Sequence, residues 1–261
     1  MNSLIGFSGF VGSTLLKQSS FDDLYRSTNI SEIEGKSFDV VVCAGAPAKK
    51  WIANREPEAD CQTIEALIDH LKTIQCKTFV LISTVDVFKT PIGVDEDSPV
   101  DESGLPPYGL HRLRLENFVQ THFKNHLIVR LPGLVGPGLR KNVIFDFLND
   151  NNLQAIDSRG VFQFYPMVNL WYDIQLALEA GLKLLHLTAQ PLSVAEISQK
   201  GFGKIFTNTP TDVTAKYDMQ TKHAKLFGSK GRYQYNERET IQAVRAYVQS
   251  EPTKATERVH A

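Results

Sequence analysis

The sequence predicts an α/β protein: an open, doubly wound parallel sheet followed by a small C-terminal α/β lobe. Three observations lead there. A glycine-spaced turn, Gly6-Phe7-Ser8-Gly9-Phe10-Val11-Gly12, follows a short apolar run and opens into a helical segment. Two strand-length stretches, residues 37–46 and 78–84, are apolar without alternation, as parallel strands buried on both faces are. Helix-spaced segments separate them, and strand–helix–strand alternation implies right-handed crossovers.

The bulk composition sets outer limits. At 261 residues the chain suits one large domain, or one domain with an appendage. A net charge of −1 with 42% hydrophobic and 22% charged residues argues for neither nucleic acid nor a membrane surface. No apolar run reaches membrane-spanning length, and the first strand leaves no room for a signal peptide. Cys43, Cys61 and Cys76 include no C-x-x-C pair, so neither a disulfide framework nor a zinc site is indicated. No metal is expected, and the compartment expected is cytoplasmic.

In chain order, the glycine turn comes first and makes a seat for phosphate. Its first glycine permits the sharp turn, the middle one lets backbone approach a pyrophosphate, and the last lets helix pack on strand. Free N–H groups and the dipole at the helix start favour an anion. A glycine loop that binds nothing is the competing reading.

The second strand is expected around residues 24–26. In a dinucleotide-binding fold its end reaches the adenosine ribose. An acid there bonds the 2′-hydroxyl, and a basic residue accommodates a 2′-phosphate. Arg26-Ser27 occupies that place and points to NADP; a solvated arginine at a strand end is the alternative. Asp22 and Asp23 fall before the strand, on the wrong side for a ribose.

Residues 37–46 form the strongest strand and end in Ala44-Gly45-Ala46, small enough for a flat ring or ribose to lie against backbone. Few residues separate Arg26 from this strand, so the intervening unit is trimmed. Residues 47–57, with Lys49, Lys50, Trp51 and Arg55, read as a polar loop that either covers a substrate or is simply solvated. Residues 58–74 have helical spacing, and 78–84 form the next strand, ending in Ser83-Thr84. Gly6, Ala44 and Thr84 thus all fall at carboxyl ends of strands, where open parallel sheets collect ligands.

The middle of the chain carries the chemistry. Thr84 and Asp86 are followed, after a Pro- and acid-rich loop, by Pro106-Pro107-Tyr108-Gly109 and Arg112. Tandem prolines start a helix well. Tyr108 and Arg112, four apart, share a helical face. A phenol is a poor acid near neutrality, and a cation one turn away favours the phenolate and makes the proton more available. With the Thr84 hydroxyl holding a substrate oxygen, these residues suit proton transfer in a hydride reaction. Asp86 is either a base for a proton beside a carbonyl or a turn cap. A Tyr–Arg pair on a helix can equally be a surface contact.

Residues 126–138 read as a strand running into a Gly- and Pro-marked loop on the substrate side, with Arg140 and Lys141 before a helix at 142–148. Those two cations either meet an anionic substrate or are merely exposed. His122 and His126 have metal-like spacing but no third ligand, and read as surface histidines.

Taken together, these stretches resemble the extended short-chain dehydrogenase/reductases, the NAD-dependent epimerase/dehydratase family acting largely on nucleotide sugars. Residues 6–12 resemble its G-x-x-G-x-x-G, 39–45 its fourth strand, and 83–88 its S-[ST]-x-x-V-[YF]. Tyr108-Gly109-x-x-Arg112 resembles its Y-x-x-x-K, and 130–138 its R-x-x-x-v-y-G-p-g. Asp173-Ile174 resembles the helix start after its next strand. The resemblance runs in order over residues 3–200 and implies a Rossmann-type doubly wound sheet.

It also implies Thr84 as substrate hydroxyl, Tyr108 as acid/base and Arg112 as the cation holding the nicotinamide ribose. NADP or NAD would be held by Gly6, Ser8, Gly9, Phe10, Val11, Gly12, Arg26, Ser27, Ala44, Gly45, Ala46, Ser83, Tyr108, Arg112, Pro132 and Leu134. Arginine stands where the family has lysine, and one acid of the dehydratases' T-D-E is missing beside Asp86.

The C-terminal part is shorter than the family's usual substrate lobe. Residues 162–167 are aromatic-rich, either a clamp for a base or sugar or core packing. Residues 173–185 have helical spacing, 186–188 suit a short strand, and Ser193 with Glu196 suits a capping box opening a helix. Residues 237–248 form one more amphipathic helix, and 251–261 read as a loose tail.

The expected division is a Rossmann domain at 1–160, to which later segments can return, a lobe at 161–250 and the tail. The expected function is an NAD(P)-dependent oxidoreductase, epimerase or dehydratase acting on a nucleotide sugar or related carbonyl or alcohol compound. The alternative is a weak or inactive NAD(P)-binding regulatory or scaffold protein. The expected partner is that small molecule, with a homodimer left open, and no nucleic acid or membrane.

Overall fold

A computed structural model of the chain describes residues 1–252. They fall into two compact units. The first comprises Met1–Thr90, Glu96–Leu131 and Leu170–His186; the second comprises Pro91–Asp95, Pro132–Asn169 and the chain from Leu187 onward. This differs from the 1–160/161–250 boundary. The chain leaves the main sheet at Pro132, and only the segment Leu170–His186 returns to it.

The first unit is built on six parallel strands: β1 (Asn2–Ile5), β2 (Asp23–Tyr25), β3 (Ser37–Cys43), β4 (Gln75–Thr84), β5 (His126–Leu131) and β6 (Leu184–His186). They lie side by side as β6-β5-β4-β3-β1-β2. Register pairs Leu4 with Val42, Val42 with Val80, and Val80 with Leu127. The apolar runs sit in the middle of this sheet, buried on both faces as their lack of alternation predicts. Between β2 and β3 there is only a 3-10 turn, Ile30–Ile33, which is the trimmed unit. Strand order reverses at β1, so the crevice for a ligand opens between the ends of β1 and β3.

Helices cover both faces. On one, α3 (Pro57–Leu71) and α4 (Pro107–His122) bury Ile64, Leu67, Leu115 and Val119 against Ile5, Val41, Phe79 and Ile128. Phe79 stacks on Phe123 with ring centres 4.2 Å apart. Alternate strand residues point to the opposite face, where α1 (Phe10–Gln18) lies beside α6 (Leu170–Glu179), with the Trp171 N–H on Gln18 Oε1 at 2.9 Å.

Several boundaries move. Residues 47–57 are not all loop: Lys50–Arg55 form a short helix, α2, with Ala53 buried. Six residues are too few to show a helical period. β2 ends at Tyr25, one residue early, and starts at Asp23. The helix expected at 173–185 is α6, stopped before Gly181, whose φ of +68° suits glycine. The following strand is accordingly β6 rather than 186–188.

Among the described residues the second unit holds three two-stranded pairs: Ile92–Val94 with Asp218–Met219, Gly133–Val135 with Phe164–Pro166, and Val161–Phe162 with Leu192–Ser193. Its helices are α5 (Val143–Asn149), α7 (Val194–Phe202) and α8 (Glu237–Ser250). The expected Ser193/Glu196 capping box is present, and Asn236 with Glu239 forms another. Gln163 is the buried tie: its amide donates to the Ala189 and Met219 carbonyls and accepts from the Met219 N–H. Phe164 and Tyr165 are core residues, while half-buried Phe162 stacks on Tyr217. Of the expected loose tail, residues 253–261 lie outside the described residues. No helix among the described residues is long and apolar enough to cross a membrane.

Candidate active site

The glycine turn behaves as its spacing requires. Gly6 has a φ of +85°, and a Cβ on it would collide with the Ala44 carbonyl oxygen. A Cβ on Gly12 would collide with the Gly6 carbonyl, so both glycines are needed for close packing. A Cβ on Gly9 would meet only the Gly6 carbonyl oxygen, at 3.4 Å. Ser8 and Gly9 are exposed, and the N-terminus of α1 has no side-chain cap and no acidic residue in its first turn. That combination is what an anion at a helix start needs. Gly45 packs tightly on Ile5, so the ends of β1 and β3 meet at the crevice.

Arg26 follows β2 and is exposed. Its Nε donates to Thr28 Oγ1 at 2.9 Å, and the guanidinium carbon lies 5.8 Å from the centre of the Phe7 ring. The cation is therefore held beside the glycine turn. Ser27, next to it, is also exposed.

Thr84, Asp86 and Tyr108 come together at the end of β4. The Thr84 hydroxyl accepts the Asp86 N–H at 3.2 Å and donates to Asp86 Oδ2 at 3.5 Å, and it lies beside the Tyr108 phenol, whose ionisation it favours. Two backbone features bring Tyr108 there. Gly109 lies so close to the Asp86 carbonyl that a Cβ would collide with it. The helix start at Pro106 supplies no capping side chain, and the orphan N–H of Tyr108 is instead satisfied by Asn54 Oδ1 on α2, at 2.9 Å. Asp86 is ion-paired with Lys50, also on α2, at 2.7 Å.

Tyr108 is 8% exposed, and burial raises its phenol above the ordinary 10.0. Arg112, whose guanidinium carbon lies 4.1 Å from the ring centre, lowers it, as do Thr84 and Lys50; Asp86 raises it. The net direction reverses the sequence expectation, because desolvation of the phenolate outweighs the cation.

Arg112 also departs from its expected role. It is 3% exposed. Nη1 donates to Asp60 on α3 and to the Tyr108 carbonyl, Nη2 donates to the Pro47 carbonyl, and Nε is buried without a hydrogen-bond partner. Asp60 also bonds His111 Nδ1 at 2.7 Å. The guanidinium thus ties α4 to α3 and to the loop after β3, and offers a ribose no exposed donor.

A second buried network joins α4 to β4, β5 and β6. Glu116, fully buried, bonds Ser83 Oγ at 2.5 Å and Arg130 Nη2 at 2.6 Å, while Arg130 Nη1 lies 3.4 Å from His186 Nε2. Ser83 is therefore engaged beneath the site. The signal was available: residues 108, 111, 112, 115, 116 and 119 form one helical stripe, on which charges alternate with apolar residues.

Pro132, Leu134, Arg140 and Lys141 belong to the second unit. His122 stacks on Phe118 and His126 bonds the Phe123 carbonyl; no metal-binding cluster occurs among the described residues.

Neither a protein-family model nor a curated protein matches the chain. Solved structures do. A UDP-glucose 4-epimerase from Thermotoga maritima with UDP-glucose aligns at a TM-score of 0.70 and 16% identity, over 100% of this chain and 99% of that one. A dTDP-4-dehydrorhamnose reductase from Clostridium acetobutylicum aligns at 0.69 and 17%, over 95% and 99%. RMD from Pseudomonas aeruginosa, complexed with NADPH, aligns at 0.64 and 18%, over 95% and 99%. At these identities the likeness shows the Rossmann-type fold that the glycine turn and parallel strands predict.

Proposed function

We propose that the protein is an NAD(P)-dependent oxidoreductase, epimerase or dehydratase acting on a nucleotide sugar or a related carbonyl or alcohol compound. The observation that carries the reading is the meeting of Thr84, Asp86 and Tyr108 at a strand end of the sheet that also bears the glycine turn, with Asp86 bonded to Thr84 and its carbonyl packed against Gly109. The structural neighbours bound to UDP-glucose or NADPH support it.

The residues present fit a dinucleotide. The uncapped start of α1 and the turn at Gly6, Gly9 and Gly12 would hold the pyrophosphate. Ala44 and Gly45 would face the cofactor across the crevice, and Arg26 beside Phe7 would meet a 2′-phosphate, favouring NADP. When bound, the nicotinamide supplies or accepts hydride at the substrate carbon. Thr84 orients the substrate oxygen. Tyr108 gives that oxygen a proton in the reductive direction and removes it in the oxidative one. A buried phenol held protonated is suited to act as the acid.

The test is direct. Purified protein is mixed with NADPH or NADH and a panel of keto-sugar nucleotides, and the nicotinamide absorbance is followed. Turnover that Tyr108→Phe reduces by about 100-fold or more supports the assignment. Cofactor binding with no turnover across the panel would leave the binding-protein reading instead.

A further inference from the structure

Beneath the end of β4 lie a carboxylate and a guanidinium, Glu116 on α4 and Arg130 on β5, both buried. Arg130 presents its fork to the acid, with Nη2 on Glu116 Oε2 at 2.6 Å and Nε on Oε1 at 3.0 Å. A two-point contact of this kind fixes the plane of the carboxylate as well as its place. The oxygen that Nε holds also receives the Ser83 hydroxyl, at 2.5 Å. On the far side, Arg130 Nη1 meets His186 Nε2 at 3.4 Å. Arginine can only donate, so this imidazole nitrogen is the acceptor and the ring is neutral.

The same pair grips both ends of the segment that carries Thr84 and Asp86. Ser83, bonded to Glu116, is the residue before Thr84. Asp86 follows in the 3-10 turn Val85–Val87, and Phe88 closes that turn. The centre of the Phe88 ring lies 5.0 Å from the Arg130 guanidinium carbon, and 5.8 Å, edge-on, from that of His186. Glu116 shares α4 with Tyr108 and sits about 12 Å further along the helix. Close to Tyr108, Gly109 packs on the Asp86 carbonyl. The helix bearing the phenol is therefore joined to the segment bearing the hydroxyl at Gly109 and again at Glu116. Apolar residues of similar volume commonly stabilise a core as well as a buried ion pair does. The pair's distinctive contribution is a fixed geometry.

We propose that Glu116 is a positioning residue: anchored by Arg130, it holds Ser83 and so sets Thr84 and Asp86 against Tyr108. It acts from beneath the site, through Ser83, while Arg130 acts through Phe88. The consequence for catalysis rests on the reaction proposed above; the order that Glu116 imposes on residues 83–88 does not.

Ser83→Ala cuts the link and leaves the fork intact, because Glu116 Oε1 keeps Arg130 Nε. Two readings are taken. The first needs neither cofactor nor turnover: amide hydrogen exchange, followed by NMR, at Asp86, whose N–H is bonded to Thr84 Oγ1. In Ser83→Ala that exchange is expected to quicken by about tenfold, while the thermal midpoint and the exchange of Val80, in mid-sheet, stay near wild type. The second is turnover of keto-sugar nucleotides with NADPH. Here kcat falls by about tenfold and KM stays within about twofold, a split that loss of fold alone would not give. Glu116→Gln weakens the same link, so its kcat loss and that of Ser83→Ala do not multiply in the double variant. If Glu116→Gln fails to fold, with Arg130 left without its counter-ion, Ser83→Ala decides alone. Unchanged Asp86 exchange in Ser83→Ala overturns the proposal. So does an unchanged kcat in an active protein, or losses that multiply. Quickened exchange in a protein that turns over nothing on the panel would sink the proposed reaction and uphold the positioning.

Discussion

Replacing Asp60 by asparagine tests whether Arg112 is an internal clamp. Asp60 Oδ2 receives both His111 Nδ1 and Arg112 Nη1, and the side chains of Asp60, His111 and Arg112 are 7%, 7% and 3% exposed. Asparagine keeps the shape and one acceptor oxygen but removes the charge. The guanidinium then remains buried without its counter-ion, and its Nε already has no partner. Breaking a buried pair from one side costs about 3–5 kcal/mol. Taking about 3 kcal/mol, and about 2–4 °C per kcal/mol for a chain of this size, the thermal midpoint falls by about 6–12 °C. Calorimetry or circular dichroism melting measures it. Removing the guanidinium as well, Asp60→Asn with Arg112→Met, should recover much of the loss, since it leaves no stranded charge while the asparagine still offers its amide oxygen to His111 Nδ1. A midpoint within about 1 °C of wild type for Asp60→Asn, well inside that expected range, would refute the clamp. So would a double variant less stable than Asp60→Asn.

Three further outcomes are expected. Gly109→Ala forces α4 off the Asp86 carbonyl and should lower turnover by about 100-fold, because small misplacements at a reacting centre are costly; unchanged kcat would remove Gly109 from the argument. Arg26→Ala should weaken NADP binding by about tenfold while sparing NAD, as titration calorimetry would show; equal losses would end the 2′-phosphate assignment. Burial pushes the Cys43 thiol up to about 11 from an ordinary 9.0. A raised acid pKa means that the folded state prefers the protonated thiol. Its contribution is complete below about 9 and is lost as pH rises through about 11. Urea midpoints should therefore fall over that window, and Cys43→Ala should flatten the fall.

Much of the first unit was readable from the residues because its signals are local. The glycine turn, the uninterrupted apolar strands and the Ser193/Glu196 box each act through backbone sterics or neighbouring atoms. Tyr108 and Thr84 were readable as a pair because both fall at the carboxyl side of the sheet. What escaped was carried by long-range partners. Arg112 looks like a free cation in the sequence, and only Asp60, 52 residues away, makes it an internal one. Asn54 and Lys50 sit in a stretch too short to show a period, yet they cap α4 and hold Asp86. The phenol's direction was misjudged because charge is visible in a sequence, whereas desolvation depends on packing.

The late return of residues 170–186 to the first sheet has a consequence for how the chain can be made and cut. β6 pairs with β5 through Ile128, Val129 and Arg130, and it supplies His186 to the buried Arg130–Glu116 network. During synthesis the first sheet stays one strand short until residue 186 has left the ribosome. Over that interval β5 is an open edge able to pair with another chain. A fragment ending at 160 would keep that edge for good, together with a buried ion pair opened to water. The smallest piece of this protein worth expressing alone therefore has to reach past His186, however early the glycine turn and the hydroxyl pair occur along it.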